Sequence, residues 1–264
     1  MTVLALTSTR GAPGVTATAL TLALAWDRPV ILVEADVSGS SSIKAGHFRG
    51  QATPSPNIMD LADAHHNHRS LGVEALRHAS LPLPLEPSRR YVAGIARSDQ
   101  LRALTPDFWD QLASVLANTA EQGYDVIVDA GRIRSINGPD RLLERADMVA
   151  VVMRNHLDHI VSAASNADYL RRGADAASNR VGAILLGQGP YPNKKITEAT
   201  GLRIWSTLAW DPHTAGRLMG DADLPTFAKF ERTGLYRSAR STVNELRNID
   251  AERRSFLGTP QRTR

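Results

Sequence analysis

The residues best suited to chemistry lie at the start of the chain. In Leu4-Ala5-Leu6-Thr7-Ser8-Thr9-Arg10-Gly11-Ala12-Pro13-Gly14-Val15-Thr16-Ala17-Thr18, an apolar run, a Gly/Pro bend and a helix-like run follow one another without a spacer. That order reads strand, tight loop, helix. Gly11 and Gly14 let the loop backbone approach an anion closely. The N–H groups opening the next helix point at that anion with the favourable end of the helix dipole, and phosphate is what such loops hold. The phosphate-cradling pattern Gly-x4-Gly-Lys-Ser/Thr, however, needs a lysine just before the hydroxyl residue. Here Val15 precedes Thr16. The cradle is present and its principal cation is not.

Two carboxylates stand where they could complete such a site. Asp36 falls at the C-terminal end of the run Val30-Ile31-Leu32-Val33-Glu34-Ala35-Asp36, and Asp129 closes the strand that begins at Tyr124. Short, uniformly apolar runs are the mark of parallel strands covered on both faces. Open α/β sheets take their ligands at the carboxyl ends of such strands. Asp36 and Asp129 are therefore read as lying where a ligand would bind, the other reading being ordinary strand-end caps.

The rest of the chain must position these groups. Val15 to Trp26 is apolar almost throughout, as in a helix buried against a sheet. Residues 37–56 are rich in Gly, Ser and Pro and read as a loop with little regular structure. Residues 57–76 look helical in two pieces, and Leu81 to Pro87 is extended and proline-stiffened. Further strands are expected at Tyr91–Ile95, Tyr124–Gly131, Met148–Met153, Val181–Leu186 and Leu202–Leu208. Helices are expected at 106–122, with Thr105 as cap, and at 139–145, 157–172 and 211–218. The alternation predicts an α/β fold, a doubly wound, mostly parallel sheet flanked by helices. Leu235, Ala239, Val243 and Leu246 recur at helical spacing between Gly234 and Arg254, which predicts a C-terminal amphipathic helix. The expected organisation is one body over residues 1–228 and a basic helix and tail, 229–264, packed on it.

Composition narrows the class. The chain has 264 residues, 42% hydrophobic and 22% charged, with no Cys, which excludes disulfides and thiolate metal sites. There is no basic leader before the glycine loop, and no apolar stretch near the roughly 20 residues that span a bilayer, so a cytoplasmic protein is expected. The net charge of +4 is uneven: residues 229–264 hold nine Lys/Arg against four Asp/Glu. That excess marks the tail as a contact for DNA or an anionic membrane surface, or simply as a solvated helix with a frayed end. His65, His66 and His68 lack the spacing of a metal site. No Gly-x-Ser-x-Gly nucleophile elbow and no Gly-x-Gly-x-x-Gly dinucleotide fingerprint is present.

In order and spacing these landmarks resemble the ParA/MinD family, deviant-Walker P-loop ATPases that position chromosomes, plasmids, division sites and pili. The resemblance covers about residues 2–220. Arg10 to Ala17 is similar to the family loop Lys-Gly-Gly-x-Gly-Lys-Thr-Thr, Glu34-Ala35-Asp36 to its Asp-x-Asp strand end, Tyr124 to Asp129 to its Walker B strand, and Leu208 to Pro212 to its Pro-x-Asp segment. The resemblance implies ATP and Mg²⁺ as cofactors, with the backbone of Gly11, Ala12, Pro13, Gly14, Val15, Thr16 and Ala17 around the phosphates. It implies that Thr16 coordinates the metal, Asp36 positions the attacking water and Asp129 holds the metal's water shell. Arg10 stands where the family's signature lysine crosses to the partner of a homodimer, and Gln188 lies beside the place of an adenine-reading Asn. Val15 in place of the lysine removes a charge-assisted phosphate contact worth roughly 1.5–3 kcal/mol. The expectation is a weak or inactive ATPase acting as a dimeric spatial-organisation or scaffold factor with an unidentified protein partner. The alternatives are a slow ATPase in which Arg10 or Arg132 supplies the charge, and a non-enzymatic nucleic-acid-binding module using the tail.

Overall fold

The computed structural model describes residues 2–11, 14–38, 41–51, 56–171, 180–256 and 258. Eight strands make one sheet: β1 (Val3–Ser8), β2 (Val30–Glu34), β3 (Leu81–Pro82), β4 (Arg90–Val92), β5 (Asp125–Arg132), β6 (Met148–Arg154), β7 (Val181–Leu186) and β8 (Arg203–Leu208). Their spatial order is β3-β4-β2-β5-β1-β6-β7-β8, and every neighbouring pair is parallel except β3 with β4. Pro82 lies in that short edge strand, where a residue without an N–H costs no ladder bond. The strand order turns at β1, which puts the glycine loop at the crevice where such sheets bind ligands.

Helices cover both faces. On one lie α1 (Val15–Ala25), α2 (Ser42–Gly46), α10 (Pro212–Leu218), α11 (Phe227–Glu231) and α12 (Gly234–Phe256), packed with Leu4, Leu6, Ile127, Val152 and Ile184. On the other lie α3 (Ile58–His66), α4 (Val73–His78), α5 (Pro106–Glu121), α6 (Asp140–Arg145), α7 (Leu157–Ser165), α8 (Ala167–Leu170) and α9 (Asn193–Thr200), packed with Ala5, Val128, Val151 and Ala183. A 3-10 turn occupies Ser98–Ala103. α1 is apolar all round because it lies between the sheet and α12.

α12 buries Leu235, Ala239, Val243, Leu246 and Ile249. Its basic residues largely bind the body. Arg240 donates to the Ala25 carbonyl at 2.9 Å, Arg247 pairs with Asp27, and Arg253 pairs with Asp147 at 2.9 Å. Lys229, Arg232 and Arg237 remain exposed.

Several boundaries differ from the sequence reading. The stretch expected to be irregular contains α2, because Ser41 caps it by accepting from the Lys44 N–H. β2 ends at Glu34, so Asp36 stands in the loop beyond it. β5 runs past Asp129 to Arg132, with a register shift opposite Leu6 and Ser8. The helix expected over 157–172 breaks at Asn166 into α7 and α8, and residue 172 lies outside the described residues. α9 and α11 have no counterpart among the expected elements. Among the described residues no helix is long and apolar enough to cross a membrane.

Candidate active site

Gly14 ends the loop in the left-handed region (φ 93°) and serves as N-cap of α1 without a side-chain hydrogen bond. The first helical bond runs from the Thr18 N–H to the Gly14 carbonyl at 2.9 Å. The N–H groups ahead of it have no intrahelical acceptor and are open to an anion. Ala12 and Pro13 lie outside the described residues. Gly11 is exposed, and Thr16 and Ala17 are half-buried. Val15 is only 6% exposed and packs into the apolar layer beneath α1.

The structure brings Thr16, Asp36 and Asp129 to one place. In the sheet Asp129 pairs with Leu6 of β1 on one side and Glu34 of β2 on the other. Its carboxyl is fully buried, and burial pushes its pKa up to about 7. The Thr16 hydroxyl beside it and the Gly131 N–H lower the value, while Glu34 and Asp36 add to the rise. Oδ1 accepts from Gly131 at 3.1 Å, and Oδ2 is buried without a hydrogen-bond partner. Asp36 is half-buried, accepts from the Ser38 N–H at 2.9 Å, and lies over Gly131, where a Cβ would stand 2.4 Å from its Cγ.

These oxygens fit a hard cation. Carboxylates and a hydroxyl are the donors Mg²⁺ takes, and Asp129 Oδ2 is buried with its capacity unused. Among the described residues no group of three or more His, Asp or Glu side chains is disposed to hold an ion unaided. A cation here would draw its other ligands from phosphate and water, the usual arrangement for Mg²⁺.

Glu34 forms a second buried carboxyl beside this cluster. Ser41 Oγ donates to its Oε2 at 2.6 Å, the Gly94 N–H at 3.0 Å, and the Tyr91 hydroxyl also bonds it. Burial raises the pKa of Glu34 and these bonds lower it. The sequence signal was a charged residue inside an apolar run; Tyr91 and Gly94, distant in the chain, gave none.

Arg10 is exposed and pairs with Asp158 of α7, Nε to Oδ2 at 3.3 Å. Ser162, also on α7, donates to the Thr9 carbonyl at 3.0 Å, so this helix holds the entry to the loop twice. Gln188 is exposed after β7. Gly187 before it has φ 74°, and a Cβ there would lie 2.8 Å from Cβ of Trp210. The two tryptophans near β8 differ. Trp205 is 5% exposed in the core, while Trp210 is 52% exposed with the Arg154 guanidinium 4.3 Å from its ring centroid. His65 bonds Gln111 of α5.

No protein-family model matches the chain, and no curated protein matches it by sequence. Solved structures match it over nearly its whole length. A ParA family ATPase from Chlorobium tepidum TLS superposes with a TM-score of 0.71 at 16% identity, covering 92% of this chain and 98% of that one. The septum site-determining protein MinD complexed with Mg-ADP, from Pyrococcus horikoshii OT3, gives 0.71 at 12% identity over 96% and 98%. A substituted form of Cyanothece McdA in complex with ATP gives 0.64 at 15% identity over 100% and 99%. The chain has the fold of these P-loop ATPases.

Proposed function

We propose that this chain is a ParA/MinD-like protein with a degenerate nucleotide site, one that binds ATP weakly, hydrolyses it slowly or not at all, and works as a homodimeric factor organising a cellular assembly in the cytoplasm. One observation carries the reading: Thr16, Asp36 and Asp129 converge beside the open end of α1, while the place of the loop lysine is filled by Val15 inside the apolar layer. Phosphoryl transfer rests on positioning and charge stabilisation, so the missing cation weighs more on turnover than on binding.

In this reading the backbone from Gly11 to Ala17 holds the phosphates, and Thr16 and Asp129 hold Mg²⁺, whose charge would offset that of the phosphates. Asp36 orients water and Gln188 meets the base. Residues 1–228 form the nucleotide-binding body, and 229–264 offer a DNA or anionic membrane contact through Lys229, Arg232 and Arg237. Mg-ADP and ATP are bound in two of the similar structures, which supports ATP with Mg²⁺ as the ligand.

Calorimetric titration with ATP and Mg²⁺ beside a turnover assay tests the proposal. Weak binding with little or no hydrolysis is expected; turnover at the rates of ordinary partitioning ATPases would overturn it. The slow-ATPase reading through Arg10 has less support, since Asp158 of the same chain engages that side chain. Its check is Arg10→Ala, which must abolish whatever turnover exists.

A further inference from the structure

We propose that Arg154 is the cation that takes over the charge of the missing loop lysine, exchanging its seat on Trp210 for the terminal phosphates of a bound nucleotide. This rests on the nucleotide-binding reading above and names the residue that would sustain it.

The sheet geometry places Arg154. Along β6, Met148, Ala150 and Val152 belong to the apolar layer beneath α1, and Val149, Val151 and Met153 to the opposite one. Strand alternation therefore turns Arg154 to the α1 face, the face on which the phosphate loop opens its helix. In register Arg154 pairs with Leu186, and Leu186 Cδ1 lies 3.5 Å from where a Cβ on Gly14 would stand. Arg154 thus sits at the carboxyl edge of the sheet, one residue from the turn into α1.

Its reach is set by the strand order. Neighbouring parallel strands stand about 4.8 Å apart. Arg154 crosses β7 to lie on Trp210, which follows β8, the second strand over. β1, which carries the loop, is the adjacent strand on the other side. A side chain long enough for the indole is long enough for the loop.

Two other cations stand at this edge: Arg10 is engaged by Asp158, and Arg132, exposed at the end of β5 opposite Ser8, is the competitor the test must separate from Arg154. Arg154 makes no ion pair among the described residues, and its contact is an aromatic face. A half-exposed cation–π contact is a weaker tether than a bidentate guanidinium–phosphate pair, which favours the exchange. Burial holds His159 below its ordinary pKa, with Asp158 raising it and Arg10 and Arg154 lowering it, so the two guanidinium groups lie in one neighbourhood.

Binding of ATP, and separately of inorganic tripolyphosphate, each with Mg²⁺, is measured calorimetrically on the full chain. Arg154→Ala is expected to weaken both about tenfold or more, Arg154→Lys to recover part, and Arg203→Ala, at the opposite end of β8, to change neither. Tryptophan emission gives an independent readout, because Trp26, Trp109 and Trp205 are buried and Trp210 is not. Tripolyphosphate has no ring to stack, so an emission change in the parent that is lost in Trp210→Phe reports departure of the guanidinium. Equal affinities of parent and Arg154→Ala would overturn the inference while leaving nucleotide binding standing. So would a loss confined to Arg10→Ala or Arg132→Ala, or binding that leaves Trp210 emission unmoved. Absence of any binding to the parent removes the functional reading and this inference together.

Discussion

The carboxyl group of Asp36 rests on the bare Cα of Gly131, so close that a methyl group there would stand 2.4 Å from Cγ. Gly131 also has φ 59°, a backbone that L side chains adopt at a cost. Both features belong to the bend where β5 shifts register against β1, next to Asp129. Gly131→Ala is therefore expected to cost about 1 kcal/mol through the backbone and to push Asp36 away from Asp129 and Thr16. The measurement is thermal unfolding with and without ATP and Mg²⁺. A modest loss in the apo protein and disappearance of any ligand-induced gain are expected; a retained gain would mean Asp36 is not needed beside the cluster.

Val15 invites the converse substitution. Lysine at this position restores a charge-assisted phosphate contact, and the expected gain in ATP affinity is about tenfold or more. The apo protein should lose about 1–3 kcal/mol, because the aliphatic group removed is 6% exposed and a long charged chain must leave the apolar layer. Calorimetry and denaturant titration on Val15→Lys check the two effects. An affinity no better than the parent's would show that the loop geometry, and not only its charge, departs from a working phosphate cradle.

Much of this was legible in the sequence, and what was not has physical causes. Apolar runs announced β1, β2, β5, β6 and β7, because strands covered on both faces bury mostly apolar side chains. The left-handed Gly14 opening α1 followed from local signals alone, whereas Asp129, expected to close its strand, lies three residues inside β5. Contacts that span the fold gave no such signal: Tyr91 reaches Glu34 only through the pairing of β4 with β2, and Arg154 meets Trp210 only because the strand order sets β8 two strands from β6. The break of the long helix at Asn166 left no mark in the sequence for a similar reason. The Asn166 side chain bonds the Ser162 carbonyl at 2.8 Å, a competition with the helix ladder that composition does not announce.

Two buried titratable groups should give stability opposite pH dependences. Burial pushes His47 down to about 4, with the Leu218 carbonyl at 3.2 Å from Nδ1 working against it and Arg49 adding to the fall; Nε2 is buried and unpartnered. The unfolded chain takes up this proton near 6.5 and the folded one only near 4, so stability falls as pH drops through that interval, by on the order of 3 kcal/mol. Asp129 has the other sign. The folded state keeps its proton up to about 7 against an ordinary 3.8, so its contribution is full below 3.8 and is lost as pH rises to 7, by on the order of 4 kcal/mol. Thermal unfolding across pH 4 to 8 checks both. His47→Leu should remove the acid-side loss and Asp129→Asn the neutral-side one. A profile unaltered by either substitution would contradict the burial assigned to that group.

The basic tail is better tested by charge than by truncation. Deleting residues 229–264 would strip Leu235, Ala239, Val243, Leu246 and Ile249 from the layer over α1 and β8, so any loss of binding would only report loss of the fold. Leu246→Ala alone is expected to cost about 2–4 kcal/mol. Arg240, Arg247 and Arg253 are likewise spent on Ala25, Asp27 and Asp147. On the described surface of this region, contact with a polyanion falls to Lys229, Arg232 and Arg237. Reversing the last two, Arg232→Glu with Arg237→Glu, should leave stability within about 0.5 kcal/mol, because exposed substitutions seldom do more. If the tail meets DNA, the same double variant should flatten the plot of log affinity against log salt by about 2, one phosphate contact for each arginine. A parent that binds DNA with a slope the variant leaves unchanged would place the contact elsewhere on the molecule.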